Sequence, residues 1–355
     1  MRTLLAQLPT NGRLTLANTL SDLLELTRRA TSAGGNRQLV ETLRDLAEVA
    51  TLTTGLQTGW TRRAPGFEGV QSLQTGDLVL VRAVAGQPVL TEVQEVSAGA
   101  ARSPYSHVAV AWRDPATNQV YLVESREPMG VQISQASDEM LAEHARTLVL
   151  RVADPDARAE IANHVSSTLT EVKARLPIAY DSWLDDSNGS RFNCGQLAAH
   201  LLGPTFPAER TVLQPGMAAY AKRAGMPRTT MVLPGDFERD PRFATVAEAI
   251  NPTLLKQVRP REAASMAIFA SKNQGGDVLE PGVLGRTVES IASALQRLGI
   301  LQPFNALVVG AAFDLRRDTL PIEHALENRQ RATLKHEGRV PTRIELDAAA
   351  RLLTR

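Results

Sequence analysis

The sequence predicts a mixed α+β protein in which helical segments flank a domain built on an antiparallel sheet. Three patterns support this prediction. Apolar residues recur at three- and four-residue steps near the amino terminus, short β-branched runs bounded by turn residues occupy the middle, and helical spacing returns beyond about residue 240. Because 355 residues exceed what one hydrophobic core usually organises, we expect two or three structural units.

Residues 1–65 are predicted to be a helical amino-terminal region. One helix face would be formed by Leu39, Leu43, Leu46 and Ala50. The segment from Leu16 to Leu26 has similar spacing, and the stretch from Ser32 to Asn36 is typical of a turn. A helical hairpin follows from this pattern, and its simplest role is that of a scaffold without chemistry.

Residues 66–235 are predicted to be an α+β domain. Short apolar runs indicate strands over 77–82, 107–112, 119–124 and 147–152. Asp114-Pro115 and Asn118 predict a turn that joins the second and third of these strands into a hairpin. The amphipathic stretch 157–176 and the segment 193–202 are predicted to be helices.

Residues 236–355 are predicted to be a helical carboxy-terminal region. Thr245 to Glu248 and Thr342 to Glu345 both have the Thr-x-x-Glu spacing of a capping box, which marks the start of a helix. Proline and glycine clusters divide the region into several helices.

Charge and hydropathy exclude several classes of protein. Lys plus Arg number 39 against 38 Asp plus Glu, so the net charge of +1 does not indicate a nucleic-acid partner. No run reaches the roughly 18 apolar residues of a membrane span. The apolar stretch after Met1 is too short for a signal peptide. We expect a protein made in the cytoplasm. Export by a route that needs no cleaved signal peptide is an open alternative.

Cys194 is the single cysteine of the chain. One cysteine cannot form an internal disulfide, and one thiolate is a poor basis for a structural zinc site. No group of His, Asp and Glu has the spacing of metal ligands, so we expect neither a metal nor another cofactor.

The position of Cys194 at the start of a predicted helix favours a reactive thiolate, because the first turn carries unpaired backbone N–H groups. The small Gly195 beside it would leave room for a substrate and for a backbone donor to a developing oxyanion. The alternative is an inert buried cysteine that packs as a small hydrophobic residue.

His107 begins one predicted strand and Glu124 ends its hairpin partner. In an antiparallel pair the start of one strand lies beside the end of the other, so we expect these two side chains to be neighbours. The carboxylate could then orient the imidazole, and the imidazole could take a proton from a thiol. A strand-capping histidine and a solvated glutamate are the alternatives.

Taken in order, these residues form a set of motifs. The motifs are Gly76-Asp77-Leu78-Val79, Ser106-His107-Val108, Val123-Glu124-Ser125, Tyr180-Asp181 and Asn193-Cys194-Gly195-Gln196-Leu197. The set resembles the circularly permuted papain-like NlpC superfamily, in particular its YiiX-like branch. The resemblance covers roughly residues 70–205, and its diagnostic point is that the histidine precedes the cysteine.

The resemblance implies an antiparallel, papain-like domain with Cys194 as nucleophile, His107 as general base and then acid, and Glu124 as the third polar residue. Tyr180 and Tyr105 are candidates for an oxyanion donor or a substrate-contacting wall, and either could instead pack near the site. The sequence departs from the family pattern after and before the cysteine. Gly195-Gln196 replaces Ser-Glu, and Asn193 replaces an aromatic residue, so the family's substrate contacts are not carried over.

The remaining histidines are not expected to take part. His200 would lie nearly opposite Cys194 on its helix, and His144 and His164 are expected at the surface. His324 and His336 fall outside the matched region. The basic residues of the carboxy-terminal region are expected to form a solvated helix face.

The expected function is that of a cysteine hydrolase which cleaves an amide bond through an acyl-enzyme, in a peptide or a peptidoglycan-type peptide. One alternative uses the same site for acyl transfer to a lipid or amine, or for phospholipase-like cleavage. Another is an inactive module whose helical flanks bind a partner protein, for instance in a secreted effector.

Overall fold

The fold is described from a computed structural model. It describes residues 37–54, 59–82, 105–126, 129–139, 143–181, 190–204, 211–212, 230–274 and 306–354, together with Thr19, Ser103, Phe206, Thr287 and Ser290. Apart from Thr19, the segment from Leu16 to Leu26 lies outside these residues, and so does the turn from Ser32 to Asn36.

The described part of the chain is mixed α+β. The strands are β1 Gly59–Arg63, β2 Leu78–Arg82, β3 His107–Arg113, β4 Val120–Arg126, β5 Gly130–Gln135, β6 Arg146–Val152, β7 Ala179–Tyr180, β8 Arg191–Phe192, β9 Thr211–Val212, β10 Thr230–Met231 and β11 Phe243–Ile250. The helices are α1 Arg37–Thr54, α2 Pro155–Ala174, α3 Cys194–Leu202, α4 Pro234–Arg239, α5 Pro252–Gln274, α6 Ala306–Glu337 and α7 Arg343–Leu353.

A seven-stranded antiparallel sheet forms the centre, in the order β1-β11-β6-β2-β3-β4-β5. The expected hairpin of β3 and β4 is present. Its turn closes with the Asp114 N–H donating to the Gln119 carbonyl, while Asn118 takes the left-handed conformation that asparagine tolerates. This hairpin brings the start of β3 and the end of β4 to one end of the sheet, where the candidate site lies.

The two faces of the sheet have separate cores. On one face, α2 and α3 pack against β2, β3 and β6 through apolar side chains such as Leu80, Val108, Leu150, Val165 and Leu197. The other face is covered by the segment before β2, which contributes Phe67, Val70 and Leu73. The sheet is therefore buried on both faces, and its strands are accordingly rich in Val, Leu and Ala.

The predicted domain boundaries at 65 and 235 do not coincide with this sheet. β1 lies within the region predicted to be helical, and β11 lies within the predicted helical carboxy-terminal region; both are strands of the central sheet. The prediction of a helix start at Thr245 to Glu248 is also wrong, because these residues belong to β11. Glu248 there pairs with Arg146 of β6, a contact between segments far apart in the chain.

The capping box from Thr342 to Glu345 is confirmed. The Thr342 hydroxyl accepts from the Glu345 N–H at 3.3 Å, and the Glu345 carboxylate accepts from the Thr342 N–H at 2.8 Å. The helix that follows packs with α5 and α6 around a small core of Ala263, Leu326 and Leu346. Among the helices described, none is long and apolar enough to cross a membrane.

A buried network of charges joins α1 and these carboxy-terminal helices to the sheet. Glu48 of α1 lies 2.8 Å from Arg82 of β2 and 3.1 Å from Arg146 of β6. Glu262 of α5 accepts from Arg82 Nε at 2.6 Å and from Arg343 of α7 at 2.7 Å. These pairs tie α1, α5 and α7 to the central sheet.

Candidate active site

Cys194 is the first residue of α3, as the sequence predicts. Asn193 is the helix N-cap: its Oδ1 accepts from the Gln196 N–H at 2.9 Å, and Gln196 Oε1 accepts from the Asn193 N–H at 2.6 Å. This reciprocal capping box explains the local sequence, since Asn and Gln at this spacing stabilise a helix start. Cys194 is thereby held where the helix presents its unpaired N–H groups.

Gly195 has a packing role that the sequence analysis did not anticipate. A Cβ atom at this position would lie 2.1 Å from the carbonyl oxygen of Val232. Only a residue without a side chain allows the backbone before α4 to approach this closely. The space expected for a substrate is therefore occupied on that side by Val232.

The Tyr180-Asp181 motif is attached to the cysteine helix. Tyr180 pairs with Phe192 in the short parallel ladder of β7 and β8, and Asp181 N–H donates to the Phe192 carbonyl at 3.1 Å. The buried Asp181 carboxylate accepts from Gln196 Nε2 at 2.7 Å. Asp181 therefore positions the start of α3.

His107 contacts both Cys194 and Glu124. Its Nε2 lies 2.6 Å from Glu124 Oε2, and the Cys194 side chain is close enough to its ring to interact with it. Because Nε2 is engaged by Glu124, Nδ1 is the ring nitrogen available to the thiol. The three side chains are buried, with exposed fractions of 4% for Cys194, 7% for His107 and 3% for Glu124.

The electrostatics of this group favour a charged imidazole. Burial on its own lowers the pKa of His107, but the hydrogen bonds and negative charge of Cys194 and Glu124 outweigh it and raise this pKa to about 9. Burial likewise opposes ionisation of Glu124, yet the contacts with His107 and Arg126 outweigh it and lower the pKa of Glu124. The imidazolium therefore lies between the Glu124 carboxylate and the Cys194 side chain.

Two further charged or titratable groups adjoin this site. Arg126 Nε lies 3.0 Å from Glu124 Oε2, although its N–H is not aligned for a hydrogen bond. His144 is close enough to interact electrostatically with Arg126, His107 and Glu124, and burial followed by the two positive neighbours lowers its pKa to about 4. The expectation that His144 is a surface residue is therefore wrong: it is half-buried beside the site.

Of these two, the sequence could have indicated only Arg126. It stands two residues after Glu124 on the same strand, and residues at that spacing share a face of the sheet. His144 reaches the site from the segment before β6, and no local pattern predicts that approach.

The other sequence candidates lie elsewhere or have other roles. Tyr105 is buried in the core rather than at a substrate wall, and it interacts electrostatically with Arg146, Glu248 and Glu238; burial raises its pKa. His200 is exposed and stacks on Phe192 with ring centroids 5.0 Å apart. His164 is half-buried rather than at the surface, since Gly203 lies against its ring.

Metal ligands are not grouped in the residues that the structure describes: none of their His, Cys, Asp and Glu side chains form a cluster of three or more that could hold an ion. Comparisons of the chain with protein-family models, with curated proteins and with solved structures found no match in any of the three. The chemical interpretation of the site consequently depends on its residues and their geometry.

Proposed function

We propose that this protein is a cysteine hydrolase of the permuted papain-like type, which cleaves amide bonds through a covalent acyl-enzyme at Cys194. The observation that carries the proposal is the contact series from the Cys194 thiol through His107 to Glu124, with the thiol at a helix start. A nucleophile, a base and a residue that orients the base are the three groups that covalent catalysis by cysteine requires.

In the first step the Cys194 thiolate attacks the carbonyl carbon of the substrate. A C–S bond forms, and the electron pair of the C=O double bond moves to the oxygen. When this pair returns, the C–N bond breaks and the imidazolium of His107 gives its Nδ1 proton to the departing amine. The products of this step are a free amine and a thioester at Cys194.

In the second step water attacks the thioester while neutral His107 accepts a proton from it. The C–S bond breaks, the thiolate leaves, and the acyl group departs as a carboxylic acid. Glu124 accepts a hydrogen bond from Nε2–H throughout, which fixes the orientation of the ring and stabilises its charged form.

The substrate class rests on the family resemblance of the ordered motifs, which favours a peptide or a peptidoglycan-type peptide. The burial of Cys194 also places a requirement on how a substrate binds. Because Cys194 is only 4% exposed, a peptide has to displace groups that cover the thiol before attack can occur. A water-poor site of this kind strengthens the thiolate–imidazolium pair.

The proposal is tested by the reaction of the protein with iodoacetamide, which reports on Cys194 alone because the chain has one cysteine. At pH 7 we expect His107→Ala to slow alkylation by about tenfold or more, because the thiol loses its imidazolium. His200→Ala is the matched control: it removes an exposed histidine of the same helix and should leave the rate unchanged. Equal, slow labelling of the protein and of His107→Ala would overturn the proposal.

The identity of the acyl group is read from the mass of a trapped adduct on Cys194. A peptidyl adduct supports amide hydrolysis, whereas a fatty acyl adduct would support transfer to or from a lipid. An activity that is unchanged in Cys194→Ala would instead favour a partner-binding module.

A further inference from the structure

The side-chain amide of Asn193 is a buried donor that has no hydrogen-bond partner among the residues that the structure describes. The residue is 2% exposed, and its Nδ2 is one of the buried side-chain nitrogen atoms that bond to no other residue in the described part of the chain. Buried polar groups are nearly always paired, because the lost hydration is otherwise not replaced. An unpaired amide next to the only cysteine therefore calls for an explanation.

The orientation of this amide is fixed by the helix cap. Asn193 Oδ1 accepts from the Gln196 N–H at 2.9 Å, so the oxygen faces α3 and Nδ2 occupies the other branch of the side chain. The Gln196 amide is held toward Asp181, because its Nε2 donates to the Asp181 carboxylate at 2.7 Å. Of the two side-chain nitrogens of the capping box, Asn193 Nδ2 is the one without a hydrogen-bond partner among the described residues.

The surroundings of Nδ2 are those in which a negative oxygen would be stabilised. Cys194 and Gly195 form the first turn of α3, where the backbone N–H groups have no acceptor within the helix. These N–H groups and the side chain of the N-cap residue lie at the same end of the helix, beside the nucleophile. Preorganised donors of this kind are worth most in a site from which water is excluded.

We propose that Asn193 is a catalytic residue whose Nδ2–H donates a hydrogen bond to the substrate's carbonyl oxygen as Cys194 attacks. The oxygen gains the electron pair of the C=O bond when the C–S bond forms, and Asn193 stabilises that charge without transferring a proton. This role rests on the proposed hydrolase function. It also accounts for the residue type: Ser, Asp and Asn all cap helices well, but only Asn adds an amide N–H.

The test compares two reactions of the same thiol. Alkylation by iodoacetamide forms no oxyanion, whereas acylation by p-nitrophenyl acetate does. Asn193→Ser keeps a capping oxygen and removes the amide donor, so we expect its Tm and its alkylation rate to stay close to those of the unmodified protein. We expect its acylation rate to fall by about 100-fold or more. Asn193→Asp, which keeps the cap and the side-chain size, provides a second variant if Asn193→Ser does not fold.

Three other outcomes would overturn the proposal. An unchanged acylation rate would show that the donor does not contact the oxyanion. A parallel loss of acylation and alkylation would show that Asn193 acts on the thiol. These two results would refute the role of Asn193 alone. Absence of acylation in the unmodified protein, despite alkylation that depends on His107, would refute the hydrolase function and this role with it.

Discussion

His107 has partners of two kinds, a thiol and a carboxylate, and both favour its charged form. Its pKa of about 9 in the folded protein exceeds the ordinary value of 6.5, so the charge pair contributes stability in full below pH 6.5. That contribution falls between pH 6.5 and 9 and is lost above. We expect it to amount to roughly 3 kcal/mol.

This prediction is checked by urea unfolding at pH 6, 7.5 and 9.5, with the His107 titration followed by NMR. Other groups titrate at alkaline pH as well, so the informative quantity is the difference from Glu124→Gln, which lacks the negative partner. The unmodified protein should lose more stability over this range than the variant. Parallel curves for the two proteins would contradict the prediction.

Arg126 supplies Glu124 with a positive partner that keeps its charge when His107 is neutral. The groups that face Glu124 are His107 on β3, Arg126 on β4 and His144 before β6. Replacing Arg126 by Gln removes the permanent cation, so the pKa of Glu124 should rise and its protonation should weaken the imidazolium. We therefore expect the acid limb of Cys194 alkylation to move to higher pH.

The measurement is the alkylation rate from pH 4 to pH 9 for Arg126→Gln and for Arg126→Lys, which retains a positive charge. The lysine variant should keep the acid limb of the unmodified protein. A purely structural role of Arg126 would lower Tm in both variants and leave the position of the limb unchanged.

At the scale of elements, a close backbone contact that permits only glycine at position 195 fixes the start of α3. Ala is favoured over Gly inside a helix by about 1 kcal/mol, so propensity alone would make Gly195→Ala stabilising. The 2.1 Å approach of Val232 to a Cβ atom opposes this gain, because the helix start or the Val232 backbone must move. We expect a net loss of about 1–3 kcal/mol and slower alkylation of Cys194.

Chemical denaturation measures this effect, and Ser166→Ala on the exposed side of α2 serves as the control. That change also raises helix propensity but meets no close neighbour, so it should be neutral or stabilising. A Gly195→Ala variant that gains stability as the control does would refute the packing argument.

The elements that the sequence predicts correctly have local patterns. The amphipathic helix α2 and the start of α3 depend on spacings within a few residues, and so does the β3–β4 turn at Asp114 to Asn118. β11 is not predictable in this way, because the spacing from Thr245 to Glu248 also fits a helix cap, while the partner that decides its role, Arg146, is distant in the chain. The position of His144 is not predictable for the same reason, since tertiary structure alone brings it to Glu124.

At the scale of the whole molecule, the Glu48 carboxylate of α1 is the shared counter-ion of arginines from the sheet and from α5. Arg82, Arg146 and Arg259 lie within 2.8, 3.1 and 3.4 Å of its carboxylate. Burial opposes its ionisation, but these cations outweigh burial and lower the pKa of Glu48 to about 2. The associated stability is therefore present above pH 4.5 and is lost as the pH falls toward 2.

Glu48→Gln should destabilise the whole chain, because three buried guanidinium groups lose their shared counter-ion. We expect a loss of about 3 kcal/mol in urea unfolding at pH 7. The control is Glu337→Gln. The Glu337 side chain is 52% exposed and pairs with Arg339, so its loss should lower the free energy of unfolding by less than about 1 kcal/mol. Equal effects of the two changes would show that the buried network contributes no more than a surface pair.

The strand order also constrains how the chain folds during synthesis. β11 inserts between β1 and β6, so Gly59 acquires its partner Ile250 only after most of the chain has been made. Until then β6 presents an unpaired edge, and such edges invite association with other chains. A ribosome that stalls after Cys194 but before β11 would thus release a polypeptide that contains Cys194, His107 and Glu124 but lacks the strand that completes their sheet. We expect such truncated chains to aggregate rather than to fold.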